Sequence, residues 1–225
     1  MAVNKEAYKK IKAELDEKGV TLVAVSKTKP VGDILELYHL GHRDFGENYV
    51  QELADKAEKL PKDIRWHFIG HLQSNKVKYI APFVYLIHSA DSLKLLQEIN
   101  KQAKKNNRII DCLLQVYIAK EETKFGLDEI ELADLLHHFK NQTFASTRIC
   151  GLMGMASFTE NEEIVRSEFH CLKNIFDKRP ELQDSNFKLQ ILSIGMSSDY
   201  KVAIEEGSTM VRIGNLLFGD RMKNG

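Results

Sequence analysis

Leu22-Val23-Ala24-Val25-Ser26-Lys27-Thr28-Lys29-Pro30 is a short apolar, β-branched run that ends in a lysine and is stopped by a proline. Bounded by turn formers, such a run reads as a buried strand, here over 22–27. Side chains alternate faces along a strand, so Val23, Val25 and Lys27 share one face. An amine therefore stands at the end of a row that otherwise points into a core. The plain reading of a lysine so placed is that it snorkels to water. It can also be a partly desolvated amine able to form a Schiff base. Lys29 has the same parity but precedes Pro30, which biases it to an extended loop, so Lys27 is the candidate of the two.

Outward from this stretch the pattern repeats. The spacing predicts a leading helix over 4–18, with Tyr8, Ile11 and Leu15 on its apolar face and Gly19 at its end. Asp33 and Glu36, at capping-box spacing, open a short helix carrying Ile34, Leu37 and Tyr38. A strand near 43–47 is followed by Asn48 as an N-cap with Gln51 three residues on, and the helix ends before Pro61. Further strands read at 64–70, 84–89, 109–118, 148–156, 189–195 and 210–214. Between them come a short helix opened by 71–76 and closed by Pro82, a helix over 91–105, and one over 128–140 with Asp128 and Glu131 again at capping-box spacing. Thr159 and Glu162 cap a helix that stops before Pro180. Ser197 or Ser198 starts a short helix ending near Gly207, and 215–219 is a closing turn or short helix.

Strand and helix signals thus alternate eight times, with strands starting near 22, 43, 64, 84, 109, 148, 189 and 210. Such alternation implies parallel strands with right-handed crossovers. Eight units in a chain of 225 residues is the size of a closed barrel. The fold class expected is α/β, a single (β/α)8 TIM-like barrel with an extra N-terminal helix and no second β domain. An open doubly wound sheet is the competing architecture. With no linker or shift of composition, the expectation is one domain over 1–225: leading helix 1–19, barrel 20–219, tail 220–225.

Composition narrows the function classes. Hydrophobic residues at 43% and charged residues at 28% make an ordinary globular mix. The zero formal net charge and a pI near 7.1 argue against a protein that coats nucleic acid or an anionic membrane. Cys112, Cys150 and Cys171 are odd in number and widely spaced, so neither a disulfide framework nor a structural zinc site is expected. Reduced thiols suit the cytoplasm, and neither a signal peptide nor a spanning segment is visible.

In a barrel the active face is the C-terminal end of the strands. There stand Lys27, Glu47 and Asn48, His71, Ser89, Met155, Gly195 to Ser197, and Arg212 with Gly214. Ser193-Ile194-Gly195-Met196-Ser197-Ser198-Asp199 joins strand seven to a helix start, and Arg212-Ile213-Gly214-Asn215 follows strand eight. Their glycines can simply serve tight turns. Yet glycines also admit close backbone approach, helix N-terminal amides bind anions, and barrels often hold a phosphate after strands seven and eight. Phosphate, a reactive lysine and an arginine together point to pyridoxal 5'-phosphate, with Arg212 the candidate partner of the ring nitrogen. The competing use of Arg212 is an ion pair with Glu47 or another carboxylate. His67 reads as packed on a strand face, His71 as a loop residue, Cys112 as a small core residue and His137-His138 as solvated surface. No dinucleotide or P-loop motif is present.

These motifs carry a resemblance. Val25-Ser26-Lys27-Thr28-Lys29, Phe45-Gly46-Glu47-Asn48-Tyr49-Val50-Gln51-Glu52, Trp66-His67-Phe68-Ile69-Gly70-His71-Leu72-Gln73-Ser74-Asn75-Lys76, and the stretch from Gly195-Met196-Ser197 through Val211-Arg212-Ile213-Gly214 to Phe218-Gly219 resemble the pyridoxal phosphate homeostasis family, once called alanine racemase N-terminal-domain-like proteins. Lys124-Phe125-Gly126 and Gly151-Leu152-Met153 add to the match, which spans nearly the whole chain.

The resemblance implies a monomeric cytoplasmic barrel holding pyridoxal 5'-phosphate as an internal aldimine on Lys27. It implies Arg212 near the ring nitrogen, and Ser193, Gly195, Met196, Ser197, Gly214 and Asn215 around the phosphate. Asn48 and His71 complete the expected cofactor-binding set; no residue is assigned a catalytic role and no metal is expected. The role implied is in vitamin B6 and amino-acid homeostasis rather than in turnover. The partners implied are the cofactor and, transiently, apo forms of enzymes that use it, with no nucleic acid or membrane. The alternative is an amino-acid racemase or a related decarboxylase. Alanine racemases add a β-rich second domain, for which these 225 residues leave no length, and an open mouth excludes water poorly.

Overall fold

The computed structural model describes residues 3–119, 126–140, 144–178 and 187–219. Eight strands are present among them: β1 (Thr21–Val25), β2 (Asp44–Glu47), β3 (Arg65–Phe68), β4 (Leu86–Ala90), β5 (Ile110–Gln115), β6 (Thr147–Met153), β7 (Phe187–Ser193) and β8 (Met210–Ile213). Each starts within two residues of the expected position. Neighbours are all parallel, and β8 pairs with β1 with Val23 opposite Arg212. That last pairing closes the barrel and excludes the open sheet.

The helices follow the expected alternation: α1 (Lys5–Glu17), α2 (Val31–His39), α3 (Val50–Lys59), a 3₁₀ turn (Ser74–Lys76) leading into α4 (Val77–Ile80), α5 (Leu93–Lys105), α6 (Glu129–Lys140), α7 (Glu162–Asp177), α8 (Tyr200–Glu205) and α9 (Asn215–Phe218). The leading helix α1 packs on β1 and α9, and Asn4 N donates to Leu217 O at 2.8 Å. Lys124, Phe125, Pro180 and the 220–225 tail, on which parts of the sequence reading fell, lie outside the described residues.

Alternation along the strands makes two apolar cores. Leu22 and Ala24 of β1, Phe45 of β2, Trp66 and Phe68 of β3 and Cys112 of β5 face the helices in one continuous layer. Val23, Leu86, Leu113, Met153 and Met210 form a separate cluster inside the barrel. Burial of these side chains, at roughly 1.5–3 kcal/mol each, is the main favourable contribution.

Several local readings are corrected. β1 ends at Val25, so Lys27 lies in the turn after the strand rather than on it. Helix α2 starts at Val31, with Pro30 at its N-cap and no side-chain cap. Proline's fixed φ suits a helix start, which leaves Asp33 in the first turn instead of at the cap. Asn48 is not the cap of α3 either: Tyr49 is, again without a side-chain bond. Asn161 rather than Thr159 caps α7, accepting from Glu163 N and Ile164 N. Helix α8 begins only at Tyr200, after Asp199. The Asp128–Glu131 capping box is present, with reciprocal bonds of 3.0 and 2.8 Å.

Three buried histidines set the response to acid. Under α1, His42 stacks edge-on against Tyr8 and Phe45 and its Nε2 donates to Asp44 O at 2.8 Å. Burial lowers its pKa from 6.5 to about 4, and lowers those of His67 and His88 in the barrel as well. The unfolded chain takes up protons near 6.5 that the folded state refuses. Stability is therefore full above pH 6.5 and falls as the pH drops towards 4. Urea denaturation at pH 7.5, 6 and 5 should show this loss, and His42→Gln, which keeps a donor for Asp44 O, should flatten it.

Candidate functional site

Lys27 occupies the second position of a tight turn, in which Lys29 N donates to Ser26 O at 3.0 Å. Thr28, third in the turn, has φ 64. A left-handed β-branched residue is strained, so something must hold the turn in shape. The Thr28 amide donates to Glu52 Oε1 at 2.6 Å, and the Lys56 ammonium donates to Ser26 O at 2.8 Å. Lys56 also bonds Glu47 Oε1 at 2.8 Å and Glu52 Oε1 at 2.7 Å, and Ser26 Oγ donates to Glu47 Oε1 at 2.6 Å. The clamp is thus a buried ammonium between two carboxylates, reached from α3 and the end of β2. Burial pushes the Glu47 carboxyl above its ordinary pKa, against the pull of Lys56 and Ser26.

The neighbouring Lys29 is differently employed. Its amine donates to Phe218 O and Gly219 O at 2.9 and 3.1 Å, tying the β1 turn to the end of α9.

On the other side of the rim the turns after β7 and β8 are stitched together. Gly214 N donates to Ser197 Oγ at 3.2 Å and Arg212 N to Gly195 O at 3.0 Å. Gly195 adopts φ 94, and a Cβ there would stand 2.5 Å from that of Ala203; only glycine gives this turn its shape. Met196 N is held by Asp199 Oδ1 at 2.5 Å. The amide at the N-cap of α9, Gly214, is thus taken by Ser197 Oγ.

Arg212 is buried at the end of β8. Its guanidinium donates to Ser193 O and Ser193 Oγ, both at 2.7 Å, and to Gly154 O at 3.0 Å. All three acceptors are neutral, so the expected competing pair with Glu47 is not what holds it; Glu47 pairs with Lys56. Burial lowers its pKa to about 10, which leaves it charged at neutral pH.

The structure therefore brings Ser193, Gly195, Met196, Ser197, Arg212 and Gly214 into one bonded unit, with Asn215 next to it and the Lys27 turn on the same rim. Asn48 and His71 lie in an adjoining groove with Phe68, Gln73 and Tyr79. His71 is exposed, 3.4 Å from Asp91. Asn48 Oδ1 and Ser89 Oγ, at the ends of β2 and β4, are buried without a hydrogen-bond partner among the described residues. Gly70 makes that part of the rim possible, since a Cβ there would meet Asn48 O at 2.2 Å.

Sequence reasoning missed the Glu47–Lys56–Glu52 clamp. A lysine four residues after a glutamate on a helix reads as a solvated pair. It also missed Asp44 and His88, polar residues on inward-facing strand positions; their parity with Val23 and Arg212 was the available signal.

The chain matches the family model described as "Alanine racemase, N-terminal domain" over residues 4–222. It is 46% identical over 202 residues to the pyridoxal phosphate homeostasis protein of Aquifex aeolicus strain VF5, covering 89% of this chain and 86% of that one. It belongs to the pyridoxal phosphate homeostasis family. The Homo sapiens family member is 37% identical, over 89% of this chain and 76% of that protein. Among solved structures, the family member PipY of Synechococcus elongatus PCC7942 with PLP bound superposes with a TM-score of 0.83 at 34% identity, covering 95% of this chain and 99% of that one. The alanine racemase of Streptomyces coelicolor A3(2), at 15% identity and a TM-score of 0.72, shares the fold over 92% of this chain and 56% of its own.

The clamp under the lysine turn generates a stability test for this family member. Lys56→Met should cost about 3–5 kcal/mol in chemical denaturation, because it leaves Glu47 buried without its cation. Combining it with Glu47→Gln should recover most of that loss. Amide exchange at Thr28 should quicken in the single variant.

Proposed function

We propose that this protein binds pyridoxal 5'-phosphate covalently through the Lys27 amine and holds it in the service of vitamin B6 and amino-acid balance. The observation that carries the reading is the pair of stitched turns after β7 and β8 on the same rim as the lysine turn. The donor set fits the group. Ser197 and the start of α9 suit a phosphate, Met196 N being already held by Asp199, and Lys27 suits an aldehyde. Arg212 can only donate, so it suits an unprotonated ring nitrogen. The unpartnered Asn48 Oδ1 and Ser89 Oγ are further polar atoms on the rim that a ligand can satisfy. The family's name and the bound PLP of its cyanobacterial member support the choice of cofactor.

When bound, pyridoxal phosphate supplies an aldehyde that condenses with an amine and a ring that withdraws electrons. The chain's own part is to position the amine, anchor the phosphate and fix the ring end. The clamp of Glu47, Lys56 and Glu52 keeps the amine's turn in one conformation. Lys29 binds that turn to α9, whose start is one of the two anion-binding turns, so amine and phosphate sites are held as one piece. We read the working form as a cytoplasmic monomer that exchanges cofactor with apo-enzymes. Among the described residues no helix is long and apolar enough to cross a membrane.

Borohydride reduction of protein loaded with pyridoxal phosphate should leave one adduct on the Lys27 peptide, and Lys27→Ala should abolish both the adduct and its absorbance while Lys29→Ala retains them. An adduct on another lysine, or none, would sink the reading. Incubation with L-amino acids in deuterated water should give no sustained α-proton exchange; sustained exchange that depends on Lys27 would replace holding by catalysis.

A further inference from the structure

A chain of polar side chains runs through the barrel from its floor to Arg212. At the floor, Asp44 at the start of β2 forms a two-pronged pair with Arg65 at the start of β3. Asp44 Oδ1 lies 3.1 Å from His67 Nε2, His67 Nδ1 lies 3.0 Å from His88 Nε2, and His88 Nδ1 lies 3.1 Å from Ser193 Oγ. Ser193 Oγ then accepts from Arg212 at 2.7 Å. The step from His88 to Ser193 crosses the barrel from β4 to β7, strands that are not neighbours. His67, His88 and Ser193 are all fully buried.

The carboxylate at the floor, with both imidazoles neutral through burial, fixes one direction for every bond up to Ser193. A guanidinium only donates and an ionised carboxylate only accepts. Arg65 and His67 hold Asp44 ionised, well below the usual carboxylate range. His67 Nε2 must donate to Asp44, so a neutral His67 accepts at Nδ1 from His88 Nε2–H. A neutral His88 in turn accepts at Nδ1 from the Ser193 hydroxyl, whose oxygen accepts from Arg212. Both imidazoles are neutral, each in its Nε2–H form. No bond can be reversed alone: a proton added at His67 Nδ1 turns His88 round and sets a second donor against Ser193 Oγ, beside Arg212. The floor end is reachable, because Asp44 and Arg65 line a cavity of about 670 Å³ together with Lys12, Asp16, Tyr85 and Gln190.

We propose that Asp44, His67, His88 and Ser193 are a one-directional positioning relay that fixes Arg212 and transmits the charge state of the barrel floor to the ring end of the cofactor. The link to the cofactor rests on the function proposed above. The titratable and charged groups facing the relay are Asp44, Arg65, His42, Lys12 and Asp16 at the floor and Arg212 with Asp199 at the rim, and the ring of Tyr85 packs on His67. Cooperative chains strengthen each member bond, and a buried chain with an ionic group at each end is screened little by solvent.

The first test needs no cofactor. In protein labelled with ¹⁵N at histidine and arginine, a coupling across the hydrogen bond should run from the His88 Nε2–H to His67 Nδ1, and the Arg212 guanidinium signals should be slowly exchanging. Asp44→Asn, whose amide can donate as well as accept, should weaken that coupling and broaden the Arg212 signals. The opposite polarity, a doubly protonated ring at pH 7, or Arg212 signals unmoved in the folded variant would overturn the relay.

The second test uses loaded protein. Losing the floor's negative charge leaves Arg212 less compensated and disfavours a proton on the adduct. The pH midpoint of the adduct's absorbance should fall by about half a unit, a roughly threefold loss of proton affinity, in Asp44→Asn. Arg65→Gln, which removes the positive partner and keeps the relay, should not lower it. Ser193→Ala cuts the chain at its upper end and should also lower the midpoint, so the test survives if Asp44→Asn does not fold. A midpoint unchanged in both relay variants, with the Lys27 adduct intact, would overturn the link to the cofactor. Failure of the wild-type protein to form any adduct would instead overturn the proposed function, and leave the first test to decide the relay.

Discussion

The pairing of β8 with β1 is the constraint on which the remaining geometry depends. An open sheet of parallel strands would leave two edges of unpaired amides and carbonyls and would scatter the loops along its length. Closure removes the edges and sets Val23 opposite Arg212. The first turn, which carries Lys27, is then a neighbour of the last, which carries Gly214. An amine and a glycine turn that are almost a full chain length apart in sequence become two sides of one mouth. The bonds from Lys29 to Phe218 O and Gly219 O reinforce the same seam.

A closed barrel also creates an interior that must be filled, and this one is filled unevenly. Five apolar side chains make one part of it. The rest is polar: an aspartate, two histidines, a serine and an arginine in hydrogen-bonded series. Such groups are costly to bury unless each finds a partner, and here each does. The outer layer contains a second buried polar set, the clamp of Glu47, Lys56 and Glu52 beneath the lysine turn. Neither set improves on apolar packing as a source of stability. One lies under the Lys27 turn, the other behind Arg212.

The barrel shared with an alanine racemase of 15% identity carries no function by itself. What distinguishes a site is the state in which its groups are kept. Lys27 sits on a strained turn held from below. Arg212 remains cationic although burial lowers its pKa to about 10. The histidines are kept neutral by the same burial. Each of these states depends on contacts made by residues from more than one element of the barrel.

The eightfold alternation was legible in the sequence because inward and outward positions on a buried strand both demand apolar side chains and the connecting helices demand a different period. The turns after strands seven and eight, Lys27 and Arg212 were legible for a related reason: a barrel's mouth can be assigned once its strands are counted. Helix starts at Val31, Val50 and Tyr200 were misjudged by up to three residues, because capping residues are local signals that nearby bonds override; Glu52 uses its carboxylate on Thr28 and Lys56 rather than on capping its own helix. The sequence by itself determined the strand count, the direction of every strand and, to within about three residues, where each strand starts and ends. Only the tertiary structure decided which of those ends meet, that Lys56 is buried rather than solvated, and that Asp44, His67, His88 and Ser193 form one chain. Hydrogen bonds across a barrel join residues separated by up to 105 positions, and no periodicity along the chain records which strand lies opposite which.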